Sequence, residues 1–155
     1  KLLLDTWQKI PGLQDDYSID EGFLKGWIET VRELATEAGR QEVADMEIGR
    51  LLARYPEDVD KWPQESIFRI IEDLHSEELN RHYSMALFNK RGSSVRGAFD
   101  GGDIEREHAN YFSKLANNYK NTYPTISEIF NGLANTYLEN AERIDQQAEL
   151  EGLEY

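Results

Sequence analysis

The sequence predicts an all-α fold, an antiparallel helical bundle or irregular helical array of about six or seven helices. Three observations predict it. Apolar residues recur three and four apart along nearly every segment. No stretch alternates with period two long enough to make a strand. Glycine, proline and short polar residues punctuate the stripes where helices start and stop. At 155 residues the chain is long enough to bury a core, and it is read as a single helical domain over 1–155.

Taken in order, Leu2, Leu3, Leu4, Trp7 and Ile10 suggest a short helix ending before the breaker pair Pro11-Gly12. Ser18 and Glu21 have capping-box spacing. Phe23, Leu24, Trp27, Ile28, Val31, Leu34 and Ala38 then form a helical stripe closed by Gly39. The next carries Val43, Ile48, Leu51, Leu52 and Tyr55 and stops at Pro56. Pro63 suits the first turn of a helix with Ile67, Ile70, Ile71 and Leu74 inward. Ser76 is placed to cap a helix bearing Leu79, Tyr83, Ala86 and Leu87.

Asp103 reads as the N-cap of a long helix with Ile104, His108, Tyr111, Phe112, Leu115 and Tyr119 on one side. Pro124 opens the last, with Ile126, Ile129, Phe130, Leu133, Tyr137, Ala141, Ile144 and Ala148. Leu115-Ala116-Asn117-Asn118-Tyr119 is echoed by Leu133-Ala134-Asn135-Thr136-Tyr137. Two antiparallel helices with the same packing needs explain that echo without a repeat architecture.

Between these helices lies Asn89 to Asp103, NKRGSSVRGAFDGGD, with neither helical nor strand period. It holds Gly92, Gly97, Gly101 and Gly102 and concentrates Lys90, Arg91 and Arg96. Loops of that length in helical domains are uncommon and usually functional or disordered. Val95 and Phe99 are spaced to anchor it, and Asp100 and Asp103 to neutralise its arginines. The structural reading, an arginine network holding the loop in shape, competes with an anion or partner contact through Asn89, Lys90, Arg91 and Arg96.

Composition removes several functions. A formal charge of −13 disfavours wholesale binding to nucleic acid or an anionic membrane. The absence of cysteine excludes disulfides, thiol catalysis and thiolate metal sites, and fits a cytoplasmic setting. No apolar run spans a membrane and no signal peptide is visible. A chain that starts at Lys1 suggests a fragment of a longer protein.

Two Glu-x-x-His pairs, Glu72/His75 and Glu105/His108, have the spacing used in carboxylate-bridged metal bundles. With His75 at the start of a helix running to Arg91, the pairs stand roughly 24 Å apart, too far for one metal. They are rejected as ligands, and no cofactor is expected. Asp16, Ser18 and Asp20 fail the calcium-loop pattern, with Trp27 where a glutamate belongs. The glycines lack a phosphate-loop lysine, and Ser93 and Ser94 have no nucleophile elbow.

Asn89-x-Arg91-Gly92, Arg96-Gly97, Gly101-Gly102 and Glu105-Arg106 are similar to a pattern in helical regions of large multidomain bacterial proteins of uncharacterised function. The resemblance runs from about Ile19 to Glu149. It implies origin within a larger chain and no particular activity.

The leading functional expectation is a non-catalytic helical module that docks on a partner protein or on other domains of its parent chain. Trp7, Trp62 or Tyr123 would feed its apolar patch. A small-anion or nucleic-acid module on Arg91 and Arg96 is the alternative. A metal-dependent enzyme on the Glu-x-x-His pairs ranks last. With the pairs rejected as ligands, Fe²⁺, Mn²⁺ or Zn²⁺ should leave the melting temperature unchanged, since only native-state binding raises it. A saturable rise abolished by both His75→Ala and His108→Ala would restore the metal site.

Overall fold

The computed structural model describes residues 9–91 and 101–153, of which 74% are helical. Among them are six α-helices: α1 (Glu21–Glu37), α2 (Gln41–Leu52), α3 (Glu65–Leu74), α4 (Glu77–Lys90), α5 (Asp103–Tyr119) and α6 (Pro124–Leu153). The described residues contain no strand, only an isolated antiparallel bridge between Leu13 and Ile19. The fold is all-α, and no described helix is long and apolar enough to cross a membrane. The helix expected over Leu2–Ile10 falls mostly outside the described residues; Ile10, within them, is buried and non-helical. The chain divides into two compact units, Lys1–Lys90 and Arg91–Tyr155.

In the first unit, the N-cap of α1 lies two residues past that of the expected capping box. Asp20 is the N-cap, its carboxylate accepting from the Phe23 N–H at 3.0 Å. Ser18 instead donates to Asp16 at 2.5 Å, and Glu21 accepts from Arg69 at 2.8 Å. A carboxylate immediately before the first turn satisfies an orphan N–H and complements the dipole, so the serine two residues earlier is not needed there.

α1 buries Leu24 and Ile28, while α2 turns Ala44, Ile48, Leu51 and Leu52 inward and leaves Val43 exposed. α2 and α4 pack with almost no gap. A Cβ on Gly49 would stand 2.4 Å from the Leu79 carbonyl oxygen, so glycine is required where the two backbones meet.

α3 does not begin at Pro63. Gln64 is extended (ψ 100°) and caps the Ser66 N–H at 3.3 Å, which postpones the helix to Glu65. α3 buries Ile67, Phe68, Ile70 and Ile71, then stops at His75 in the left-handed region, φ 47°. Ser76 caps α4 as expected, accepting from the Leu79 N–H at 3.2 Å.

That serine belongs to the polar centre of the unit. Asp45 on α2 is 5% exposed and receives Arg32 of α1 through two nitrogens, at 2.8 and 3.2 Å. The Ser76 hydroxyl donates to the same carboxylate at 2.7 Å. One buried aspartate thus joins α1, α2 and the start of α4.

The second unit is an antiparallel hairpin of α5 and α6. Phe112 stacks on Tyr137, with ring centroids 5.9 Å apart, and meets Phe130 at 5.6 Å. Ser127 donates to the Ala116 carbonyl at 2.8 Å. The echoed segments lie at different levels of the hairpin, Ala116 meeting Ser127 while Tyr137 meets His108 and Phe112, and Leu115, Ala116, Leu133, Ala134 and Tyr137 are all buried. Pro124 is the first residue of α6, as its missing N–H and fixed φ favour.

Asp103 is not the N-cap of α5. It is the first helical residue, exposed and paired with Arg106 at 3.1 Å, and Gly102 holds the cap position. The cause is the closeness of α6. A Cβ on residue 102 would lie 2.5 Å from the Ala141 Cα, so only glycine fits, and it brings no capping side chain. Asp145 on α6 supplies the acceptor instead, taking the Gly102 N–H at 2.7 Å and pairing with Arg106. The Gly102 N–H and then the Arg106 guanidinium hold the Asp145 carboxyl below the usual carboxylate range. α6 continues eight residues beyond Asp145, exposing Leu150 and Leu153.

Asp45→Ala should destabilise the first unit by about 3 kcal/mol, because it strands Arg32 and removes the acceptor of Ser76. Urea denaturation checks this, and a loss under about 1 kcal/mol would show that Arg32 is readily resolvated.

Candidate functional site

The segment singled out in the sequence is shorter than expected at both ends. Asn89 and Lys90 are the last residues of α4, and Asp103 opens α5. Val95, Arg96, Phe99 and Asp100 lie outside the described residues. The remaining residues fall in different units, Asn89 and Lys90 in the first and Arg91 in the second.

Lys90 reaches back to the end of α2. Its Nζ donates to the Ala53 carbonyl at 3.0 Å and to the Tyr55 carbonyl at 2.5 Å, with Glu57 at 3.9 Å. A cation there satisfies terminal carbonyls and offsets the negative end of the helix dipole. Arg91 lies flat in the second unit. Its guanidinium carbon sits 4.9 Å from the Tyr111 ring centroid and 4.6 Å from that of Phe112, and Nη1 is 3.4 Å from His108 Nδ1. Half-buried His108 packs on Tyr137 at 5.0 Å. The aromatic faces attract the cation, which holds Arg91 against α5.

The first unit holds a cavity of about 500 Å³ along the C-terminal halves of α2 and α4. Its polar walls are Arg50, Arg54, His82, Asn89 and Lys90. The sequence pointed to Asn89 and Lys90 but missed the other three. The available signal was Gly49: a glycine inside an apolar helical stripe marks close approach to another helix, and here it brings Arg50 and Arg54 beside α4. His82 titrates below its ordinary value, chiefly through burial, then through the charges of Arg50 and Arg81, with Glu78 and Glu47 opposing.

The Glu-x-x-His pairs are placed differently from their expectation. His75 is not at the start of the helix running to Lys90; it is the left-handed residue ending α3, so Glu72 and His75 do not share a helical face. Glu105 and His108 do share a face of α5, with Glu105 buried. The two pairs lie in different units. Among the described residues, no three His, Asp or Glu side chains are grouped to hold a metal ion.

Of the three residues expected to feed an apolar patch, two are withdrawn from solvent. Tyr123 is buried, and Trp62 is half-buried between Tyr55 at 6.3 Å and Phe68 at 6.2 Å. Trp7 lies outside the described residues. The two most exposed large apolar side chains described in the first unit are on α1. Phe23 is 59% and Leu34 61% exposed, and half-exposed Trp27 and Val31 lie between them.

Comparison with protein-family models, with curated proteins and with solved structures gave no match.

If the stacking of Arg91 on the α5 rings is structural, Arg91→Ala should destabilise the second unit by about 1–2 kcal/mol with no ligand present. Chemical denaturation followed by tyrosine fluorescence measures this, and unchanged stability would free Arg91 for another role.

Proposed function

We propose that this chain is a non-catalytic helical interaction module, and that it docks through the outer stripe of α1. One observation carries the reading: two large apolar side chains more than half exposed, in line with Trp27 and Val31. At 100° per residue, positions 23, 27, 31 and 34 fall within an arc of about 80°. That arc adjoins the core-facing arc of Leu24 and Ile28. α1 is therefore apolar over more of its circumference than its own unit covers.

The stripe reads as helix-in-groove recognition, with aromatic and leucine anchors spaced by whole turns. Burying Phe23 or Leu34 on a partner is worth about 1.5–3 kcal/mol each. Glu29, Glu33 and Glu37 flank the stripe on its solvent side, and all three are exposed. The complementary surface is a protein groove with an apolar floor and a basic rim, on another chain or on other domains of a parent chain. An anionic membrane would meet that acidic flank unfavourably. Anion binding at Arg91 and Arg96 has less behind it, because Arg91 is already stacked on two rings.

A photo-crosslinking residue at position 23 or 34 should capture a discrete protein in cells that make this chain naturally. The same residue at exposed Glu142 should not. Leu34→Asp should weaken the adduct formed from position 23, and Phe23→Asp that formed from position 34, each leaving the melting temperature within about 2 °C, since neither side chain is buried. Equal labelling from positions 23, 34 and 142 would overturn the reading.

A further inference from the structure

We infer that the partner of the α1 stripe is an amphipathic α-helix with basic residues along one edge, packed closely over Gly22 and Gly26. The inference rests on the docking reading of α1 and names its partner.

Gly26 lies in the interior of α1, where glycine weakens a helix relative to alanine. The fold of this chain does not require it. A Cβ on Gly26 would meet no atom within 4 Å, and one on Gly22 only a carboxylate oxygen of Asp20 at 3.7 Å. Gly49 is the contrary case, a helical glycine that a neighbouring backbone demands. α1 offers the same smooth face at Gly26 and leaves it open.

Glycine alone does not mark a contact surface. Gly132 on α6 is equally open, but exposed Glu128, Asn131, Asn135 and Thr136 surround it. Gly22 and Gly26 instead border the apolar stripe. At 100° per residue, Gly22, Gly26 and exposed Thr30 form a row four apart beside Phe23, Trp27 and Val31. The Thr30 hydroxyl donates back to the Gly26 carbonyl at 2.9 Å, which folds that side chain onto its own helix. A low row four apart, walled on one side by large apolar residues, is a groove for the ridge of another helix. With no side chain at 22 or 26, the two axes can approach to the short end of the usual range, about 8 Å.

Charge selects which helix. The basic residues of α1, Lys25 and Arg32, turn the other way and pair with Asp73 at 3.4 Å and Asp45 at 2.8 Å. Glu29, Glu33 and Glu37, exposed on the glycine side, join no ion pair among the described residues. A second copy of this chain would bring the same glutamates and a formal charge of −13. Lysine or arginine on the edge of an incoming helix meets them instead, while its apolar face covers Phe23 and Leu34.

The test uses the full chain and, as probe, a synthetic helix of about three heptads with alanine and leucine along its seam and lysine along its edges. Two peptides of equal length serve for comparison, one scrambled to remove the seam and one with glutamate for lysine. Calorimetry and the backbone amide resonances of α1 report binding. The lysine helix should bind at one site on α1, at least about tenfold more tightly than either comparison peptide. Gly26→Leu should weaken it at least about tenfold, whereas Gly132→Leu should leave it unchanged. Gly26→Ala should raise the melting temperature of the free chain by about 2–4 °C, as helix propensity improves. The inference is overturned by absence of saturable binding, by equal binding of the scrambled peptide, by undiminished binding to Gly26→Leu, or by a melting temperature that falls in Gly26→Ala. Crosslinking separates it from the reading beneath it. A specific adduct from position 23 or 34 that survives Gly26→Leu leaves the docking reading standing and removes this inference. Equal labelling from positions 23, 34 and 142 removes both.

Discussion

Asp45 is the residue on which the first unit depends. A buried carboxylate is tolerated only when its charge and lone pairs are met, and here three groups meet it: two nitrogens of Arg32 and the hydroxyl of Ser76. The demand runs both ways. Ser76 is oriented by Asp45, and so oriented it accepts the Leu79 N–H and starts α4. Leu79 is in turn the residue whose carbonyl approaches Gly49, one turn along α2 from Asp45. The charge network and the close backbone contact therefore set one another: displacing either helix along its axis would break both. The walls of the α2–α4 cavity inherit that rigidity.

The second unit meets the same problem, the start of a helix against a neighbouring backbone, with the parts exchanged. The cap of α4 comes from its own chain at Ser76, whereas the cap position of α5 is a glycine and the acceptor comes across from Asp145. Close approach excludes the side chain that would normally cap the helix, so the adjacent helix supplies it. This is why short-range capping rules serve one helix and fail for the other.

The limits of the sequence reading follow the same division. Helix existence was legible, since stripes such as Ile67, Ile70 and Ile71 or Ile126, Phe130 and Leu133 allow no other period. Helix starts were not, because Asp20, Gln64 and Gly102 were chosen over Ser18, Pro63 and Asp103 by geometry one or two residues wide or by partners far along the chain. On α1, one broad apolar pattern concealed two faces. Phe23 and Leu34 read as core beside Leu24 and Ile28, and only the neighbours of the helix separate them. The cavity was the least legible feature. Arg54 and Lys90 come within reach of each other only when α2 and α4 are paired, and no local motif spans that distance.

The length of α6 gives the hairpin an uneven character. From Pro124 to Asp145 the helix is nucleated and clamped by rings, small side chains and the Gly102 contact. The eight residues from Gln146 to Leu153 run on beyond the first turn of α5, and an isolated helix of that length does not hold together in water. Their helicity is propagation without a nucleus of its own, sustained by the packed turns behind it. Backbone amides should accordingly grade from long-lived to rapidly exchanging along a single unbroken helix, with opening free energy falling toward the tip.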